Sequence, residues 1–99
     1  MKKVSKNFLK DSYFITDLKL CNVRLIDNSK FPWVILIPKR KNITDIFQLK
    51  KKDQYLLIKE ISHVSKVMKI TFSAFTLNVE KIGNIVSQLH IHIIARTKK

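Results

Sequence analysis

Three polar side chains near the end of the chain have the types and the spacing of a reactive site. Gln88, His90 and His92 alternate with leucine and isoleucine residues. Because successive side chains of a strand point to opposite faces, the three polar groups project together and the apolar row packs into the opposite layer. Two imidazoles on one face can attack phosphorus, shuttle protons or bind a metal ion. The residue types therefore define a chemistry without naming a substrate.

Three interpretations of this histidine pair compete on the residues alone. A zinc site needs at least one further protein ligand, and Cys21, His63 and the few acidic residues offer none at a diagnostic spacing. The second interpretation is a structural pair, satisfied by hydrogen bonds on a half-exposed sheet face. A phosphate-handling site is favoured, because Gly83 and Asn84 precede the strand and can present N–H donors to an anion. We therefore expect no metal ion and no other cofactor.

The histidine strand needs other regular elements to position it, and the sequence predicts several strands and one main helix. Residues 33–37 are apolar at every position, which is typical of a central strand covered on both faces. Residues 18–25 alternate as a half-buried strand, 74–79 predict another, and 86–96 predict the histidine strand. In residues 53–70 apolar side chains recur at helical spacing, at Leu57, Ile61, Val64 and Met68.

The length of the chain allows one compact domain. Ninety-nine residues, of which 45% are apolar, exclude both a second domain and a disordered chain. We expect an N-terminal arm over residues 1–17 and a single domain over residues 18–99. The lone cysteine, Cys21, excludes a disulfide framework and indicates a reducing, cytoplasmic setting. No apolar run reaches the roughly 20 residues of a membrane span, so we expect no membrane partner.

The formal net charge of +13 raises the question of nucleic-acid binding. Seventeen of the 20 basic residues are lysines, and they are spread along the whole chain. Lysine supplies a point charge without the planar fork that reads base edges, so the charge predicts only a general attraction to polyanions. Specific nucleic-acid recognition is not expected.

The pattern of residues 88–94, Gln-Leu-His-Ile-His-Ile-Ile, resembles the motif of the histidine-triad (HIT) family, in which histidines alternate with apolar residues. Gln88 stands in place of the first histidine, as in a bacterial subgroup of that family. Other segments are similar to this subgroup in the same order, at residues 21–25, 27–28, 31–33, 37–40, 77–78 and 83–84. The resemblance implies an α+β fold with an antiparallel sheet.

The resemblance also implies a reaction. HIT proteins hydrolyse or transfer nucleotides by cleaving at the α-phosphate. By this resemblance His90 is the nucleophile and forms a covalent nucleotidyl-histidine intermediate that water resolves. His92 and Gln88 orient the phosphate, although an amide cannot take up a proton as imidazole does. The expected substrate is a nucleotide or a nucleoside phosphoramidate. The alternative is a catalytically silent module that binds nucleotides or polyanions.

Four further residues match family positions that contact the nucleotide. Asn78 and Asn84 match positions that contact the nucleotide and its phosphate. Asp27 or Asn28 matches the ribose contact at the end of the first long strand, and the resemblance does not fix which of the two supplies it.

The resemblance implies a homodimer as well, because many HIT proteins are two-fold dimers in which a helix and a strand of each protomer meet across the axis. Several apolar side chains lie outside the core-facing stripe and need cover, namely Tyr55, Leu56, Ile58 and Phe72. Alternatively, the arm covers them within one chain through Phe8, Leu9, Tyr13 and Phe14.

Overall fold

The computed structural model describes residues 4–83 and 86–98, so the predicted phosphate contact Asn84 lies outside the described residues. Within the described parts of the chain, no helix is both long and apolar enough to cross a membrane. The elements follow in the order α1 (Lys6–Lys10), β1 (Ser12–Asp17), β2 (Cys21–Ile26), β3 (Trp33–Pro38), a 3-10 turn (Ile46–Gln48), α2 (Lys51–Phe72), β4 (Thr76–Glu80) and β5 (Ile91–Arg96).

The five strands form one antiparallel sheet in the order β1-β2-β3-β5-β4. β3 lies in the middle, as its apolar sequence predicted, and the histidine strand β5 lies beside it. The register places Ile35 of β3 opposite both Arg24 of β2 and His92 of β5. The prediction of an α+β fold with an antiparallel sheet and one main helix is confirmed.

Alternate side chains of β3 enter two separate apolar clusters, one on each face of the sheet. Val34 and Leu36 belong to the larger cluster, which α2 closes. Ile35 and Ile37 belong to the smaller cluster, which includes a residue of α1. Since His92 lies opposite Ile35, the α1 side of the sheet is called the histidine face and the other side the α2 face.

The predicted core-facing stripe of α2 is confirmed. Leu57 and Met68 are buried in the larger cluster, and Ile61 and Val64 pack against it while partly buried. The helix extends two residues beyond the predicted range at each end, and Ser73 supplies a left-handed C-cap after Phe72.

Glu60 of α2 faces the sheet, whereas the periodicity placed it outside the apolar stripe. Its carboxylate accepts hydrogen bonds from the backbone N–H groups of Leu20 and Cys21, at 2.8 and 2.9 Å. The pKa of the Cys21 thiol is raised mainly by burial and further by the neighbouring Glu60 carboxylate. Because only the thiolate is strongly nucleophilic, Cys21 is an unreactive core residue.

The segment expected as an N-terminal arm, residues 1–17, contains two regular elements, α1 and β1. β1 pairs with β2 and makes one edge of the sheet. The Ser12 side chain is buried and the other five of β1 are exposed, so the strand lacks the apolar alternation that reveals strands in a sequence. An irregularity of register between Phe14 and Thr16 weakens the pattern further. The sheet therefore begins at Ser12, within the segment expected as an arm.

The histidine strand is shorter than predicted, because β5 begins at Ile91 and not at residue 86. β3 ends at Pro38, which has no N–H with which to extend the pairing. The backbone N–H of Leu89 instead donates to the carbonyl of Ile43, in the loop after β3, at 2.9 Å. Gln88 and His90 consequently lie just before the strand and beside this loop.

Candidate active site

His90 is buried immediately before β5, and its backbone surroundings fix its tautomer. Its Nδ1 lies 2.7 Å from the carbonyl oxygen of Gln88. A carbonyl oxygen only accepts hydrogen bonds, so Nδ1 carries the proton and donates it. The lone pair of the neutral imidazole is then on Nε2, where a nucleophile needs it.

Gly83 lies beside this lone pair. Its φ of +111° lies in a region that side chains with a β-carbon rarely adopt. A β-carbon on residue 83 would lie 3.5 Å from Nε2 of His90, in van der Waals contact, so a longer side chain would occupy the space beside this nitrogen. The sequence contains one glycine, and the structure uses it where positive φ and close approach coincide.

His92 has a partner on each ring nitrogen. The indole Nε1–H of Trp33 donates to Nδ1 at 3.0 Å, and Nε2 lies 3.0 Å from the carbonyl oxygen of Ile82. Since the carbonyl only accepts, Nε2 carries the proton and Nδ1 the lone pair. His92 therefore has the opposite tautomer to His90, with their ring centroids 5.0 Å apart.

The surroundings of His92 favour its neutral form. Burial is the main cause that lowers the pKa of His92, and the neighbouring His90 lowers it further. The carbonyl of Ile82 and the charge of Glu80 act in the opposite direction and are weaker. A proton on Nδ1 would also remove the acceptor of the Trp33 hydrogen bond, so the geometry and the pKa agree.

Gln88 contacts two parts of the site. Its backbone carbonyl holds His90, and its side-chain Oε1 accepts a hydrogen bond from the backbone N–H of Ser5 at 2.7 Å. Ser5 is the N-cap of α1, so this amide oxygen faces the N-terminal segment. The structure thus brings Gln88 beside His90 and connects it to α1.

A cavity of about 290 Å³ opens beside His90. Lys81 forms an ion pair with Asp45 at 2.8 Å in its wall, and this hydrogen bond lowers the pKa of the Asp45 carboxyl. Asp45 neutralises the charge of Lys81 in this wall, and the unprotonated nitrogen of His90 beside the polar lining is the feature that suits a phosphoryl group. Its lining comprises Thr44, Asp45, Lys81, Ile82, Gly83, Val86, Ser87, Gln88, Leu89 and His90.

Asn78 lies on the histidine face but further along the sheet. It is opposite Ile94 in the register, and residue 94 follows His92 on the same face of β5. The Oδ1 of Asn78 accepts a hydrogen bond from Nε of Arg96, whose guanidinium lies 4.7 Å from the ring centroid of Phe31. Asn78 therefore belongs to a cluster at the end of the sheet where β3 begins.

Asp27 and Asn28 lie in the loop between β2 and β3, near this cluster. Oδ1 of Asn28 accepts hydrogen bonds from the backbone N–H groups of Lys30 and Phe31, at 2.8 and 3.2 Å. Asn28 therefore shapes the turn, which places Phe31 beneath Arg96. The Asp27 side chain is exposed.

Sequence reasoning missed the contacts that orient the histidines. Trp33 was assigned to the central strand, and its role follows only from the pairing of β3 with β5. Ser5, the N-cap of α1, and Phe8 within α1 contact the site, and this helix of five residues has no periodic signal. His63, which the sequence did not place in the site, is exposed on α2.

Comparisons with known proteins bear on the same residues. A family model described as the HIT domain matches residues 7–99. Histidine triad proteins from Bradyrhizobium japonicum and Sinorhizobium meliloti are both 38% identical in sequence, with TM-scores of 0.91 and 0.92. Each match covers 94% of this chain and 69% of the other. A histidine triad protein from Marinobacter aquaeolei is 34% identical, with a TM-score of 0.91 over 94% of this chain and 68% of its own. No curated protein sequence matches the chain.

Proposed function

The chain belongs to the HIT domain family, and from this premise we propose that it binds a nucleotide and cleaves it at the α-phosphate, with His90 as the nucleophile. One observation carries the proposal. The hydrogen bond from Nδ1 to the carbonyl of Gln88 leaves the lone pair on Nε2, beside Gly83 and the cavity. A histidine held only for structure would not need its unprotonated nitrogen beside a cavity.

The proposed reaction has two displacements at phosphorus. Nε2 of His90 attacks the α-phosphorus, and the bond to the leaving group breaks. The leaving group departs with the electron pair and takes up a proton from water. The imidazole of the intermediate is positively charged, and the Gln88 carbonyl stabilises it through Nδ1–H. Water, or another acceptor in a transferase, then attacks phosphorus, loses a proton and returns the electron pair to Nε2.

The substrate proposed is a nucleotide or a nucleoside phosphoramidate. His92 and Gln88 orient the phosphate region, and Asn78 contacts the nucleotide from β4. We assign the ribose contact to Asp27, because Oδ1 of Asn28 already accepts two backbone hydrogen bonds and the Asp27 carboxylate is exposed. A carboxylate is a good acceptor for ribose hydroxyl groups.

A second function, a catalytically silent nucleotide-binding module, is favoured by the partners of His92. Both of its ring nitrogens are engaged, by Trp33 and by Ile82. To donate to a phosphate, Nε2 of His92 must leave the Ile82 carbonyl. A chain that keeps the bond to Ile82 would bind a nucleotide without stabilising the developing charge.

Turnover of adenosine 5′-phosphoramidate separates the two functions. His90→Ala removes the nucleophile, and we expect it to lower kcat by on the order of 10³-fold or more. Acid-quenched wild-type protein should carry one added nucleotidyl group in a mass spectrum, located on the peptide that contains His90. His63→Ala is the matched control, since it removes an exposed imidazole of α2 and should turn over like the wild type.

Equal, slow release of product by wild type and His90→Ala would refute the enzyme. Calorimetry with AMP then decides what is left. Binding that His90→Ala weakens would support the silent module, whereas absence of binding would refute both functions.

We also propose a homodimer. Tyr55 and Ile58 of α2 are exposed, and so are Tyr13 and Phe14 of the N-terminal segment, which supports cover by a second protomer over cover within one chain. Phe75 and Val79 add exposed apolar area at and near β4, the edge strand after α2. Sedimentation at micromolar concentration should give twice the single-chain mass, and a single-chain mass throughout would refute the dimer.

A further inference from the structure

We propose that Phe8 is a positioning residue for His90, and that Ser12 and Arg24 hold Phe8 in place. The inference deepens the proposed function and rests on it. It begins from three buried side chains that the proposed reaction does not use. All three lie on the histidine face or in the segment that covers it.

The ring of Phe8 packs against the imidazole of His90. The two ring centroids are 4.8 Å apart at an interplanar angle of 67°, an edge-to-face contact. His92 makes a second such contact, at 5.0 Å and 72°. With Nδ1 bound to the Gln88 carbonyl, these ring contacts restrict rotation of the imidazole. Since displacement at phosphorus needs an aligned lone pair, Phe8 contributes to the direction in which Nε2 points.

Ser12 fixes the backbone from which Phe8 projects. Its hydroxyl donates to the carbonyl oxygen of Phe8, four residues earlier. The same hydroxyl oxygen accepts a hydrogen bond from Nε of Arg24 at 2.7 Å, and the Ser12 carbonyl accepts one from Nη2 at 3.1 Å. The planar guanidinium thus holds both polar groups of Ser12 in one orientation.

Burying the charged side chain of Arg24 costs desolvation free energy. Its exposed fraction is 8%, and burial of a guanidinium is unfavourable unless its donors are satisfied. Among the described residues, the hydrogen bonds of its guanidinium go to Ser12. Arg24 also lies in the cross-strand row that continues through Ile35 to His92. The buried cation therefore connects the sheet that carries the histidines to the segment that carries Phe8.

Gln88 provides a second tie at the other end of α1. A helix of five residues has no stability of its own, so its place depends on tertiary contacts. Oε1 of Gln88 accepts from the backbone N–H of Ser5, just before the helix, and Ser12 binds just after it. An amide accepts at every pH, whereas a protonated imidazole at position 88 would lose its acceptor. Gln88 thus holds α1 over His90 independently of pH.

Phe8→Ala tests the inference through turnover and through the tautomer of His90. We expect kcat for adenosine 5′-phosphoramidate to fall by on the order of tenfold to a hundredfold, with KM changed by less than about threefold. Long-range ¹H–¹⁵N spectra should show Nδ1-protonated His90 in the wild type and a mixture of tautomers in Phe8→Ala. Phe47→Ala is the matched control, because Phe47 is 79% exposed in the 3-10 turn and should change neither readout.

Phe8→Leu keeps an apolar side chain in the cluster and serves if Phe8→Ala does not fold. It should give the same two changes to a smaller extent, and Arg24→Leu should shift the His90 tautomer in the same direction. An unchanged kcat and an unchanged tautomer in a folded Phe8 variant would overturn the inference. A higher KM with the wild-type kcat would also overturn it, since Phe8 would then contact the substrate. If the wild type itself has no turnover, the proposed function fails, and the tautomer alone decides the role of Phe8.

Discussion

The two faces of the sheet are closed in different ways. A helix of 22 residues covers the α2 face, and the cluster beneath it is apolar. A helix of five residues packs on the histidine face, where Arg24 and His90 are buried and His92 is half-buried. Buried polar groups are unfavourable unless they are bonded, and the larger apolar cluster of the α2 face supplies stability that offsets those on the histidine face. The α2 face stabilises the fold, and the histidine face is thereby free to hold a site.

The strongest test of this difference between the two faces is a substitution that creates a large cavity on the α2 face. Leu57→Ala removes a fully buried side chain of the larger cluster, and we expect it to destabilise the protein by about 2–5 kcal/mol in urea unfolding. Under conditions where the variant is folded, kcat should stay close to the wild-type value. Lys66→Ala, at an exposed position of the same helix, should change stability by less than about 0.5 kcal/mol. A Leu57 variant that keeps its stability but loses turnover would contradict the division.

Glu60 sharpens the comparison, because it is a buried polar group on the face that lacks the site. Glu60→Ala leaves the N–H groups of Leu20 and Cys21 without their acceptor, and we expect a loss of about 1–3 kcal/mol. Glu60→Gln keeps one carbonyl oxygen and should lose less. Chemical denaturation of the two variants gives the comparison, and equal losses would show that the hydrogen bonds are not the reason for burying Glu60.

The elements that the sequence predicted are those whose burial repeats at a fixed period. The apolar run of β3 and the stripe from Leu57 to Met68 fall in this class, because each residue's environment follows from its own position. The alternation around His90 also placed the two histidines on one face. β1 shows no such period of burial, since five of its six side chains are exposed and its register is irregular.

The missed part of the site depends on which strands pair and on which loops approach. The bond from Trp33 to His92 requires β3 to lie beside β5, and Phe8 reaches His90 only through the fold of the first residues. The predicted start of the histidine strand at residue 86 was wrong because it, too, depends on a contact distant in the sequence. The N–H of Leu89 binds Ile43, which is 46 residues earlier and invisible to any local pattern.

Trp33 gives a smaller and more specific test on the histidine face. Trp33→Phe removes the indole N–H that donates to Nδ1 of His92, and we expect a loss of stability of about 0.5–1.5 kcal/mol. The pKa of His92 should rise in an NMR titration, because a proton on Nδ1 no longer displaces a hydrogen bond. A double-mutant cycle with His92→Leu isolates the pair from the lost ring volume. A coupling energy near zero would show that the indole does not set the tautomer.

The smallest effect expected is the pH dependence that His92 gives to folding. Its pKa is lowered in the folded protein, mainly by burial, whereas in the unfolded chain an imidazole titrates near about 6.5. As the pH falls below that value, the unfolded state takes up a proton that the folded state resists, so stability is complete above it and decreases toward acid pH. Urea unfolding of the wild type at pH 7.5 and at about pH 5.5 should show this decrease.

His92→Gln keeps an acceptor and a donor without titrating, and its stability should depend less on pH. His63→Gln, which removes an exposed imidazole, should behave as the wild type does. An equal decrease in the stability of wild type and of His92→Gln would assign the acid sensitivity to another group and contradict this prediction.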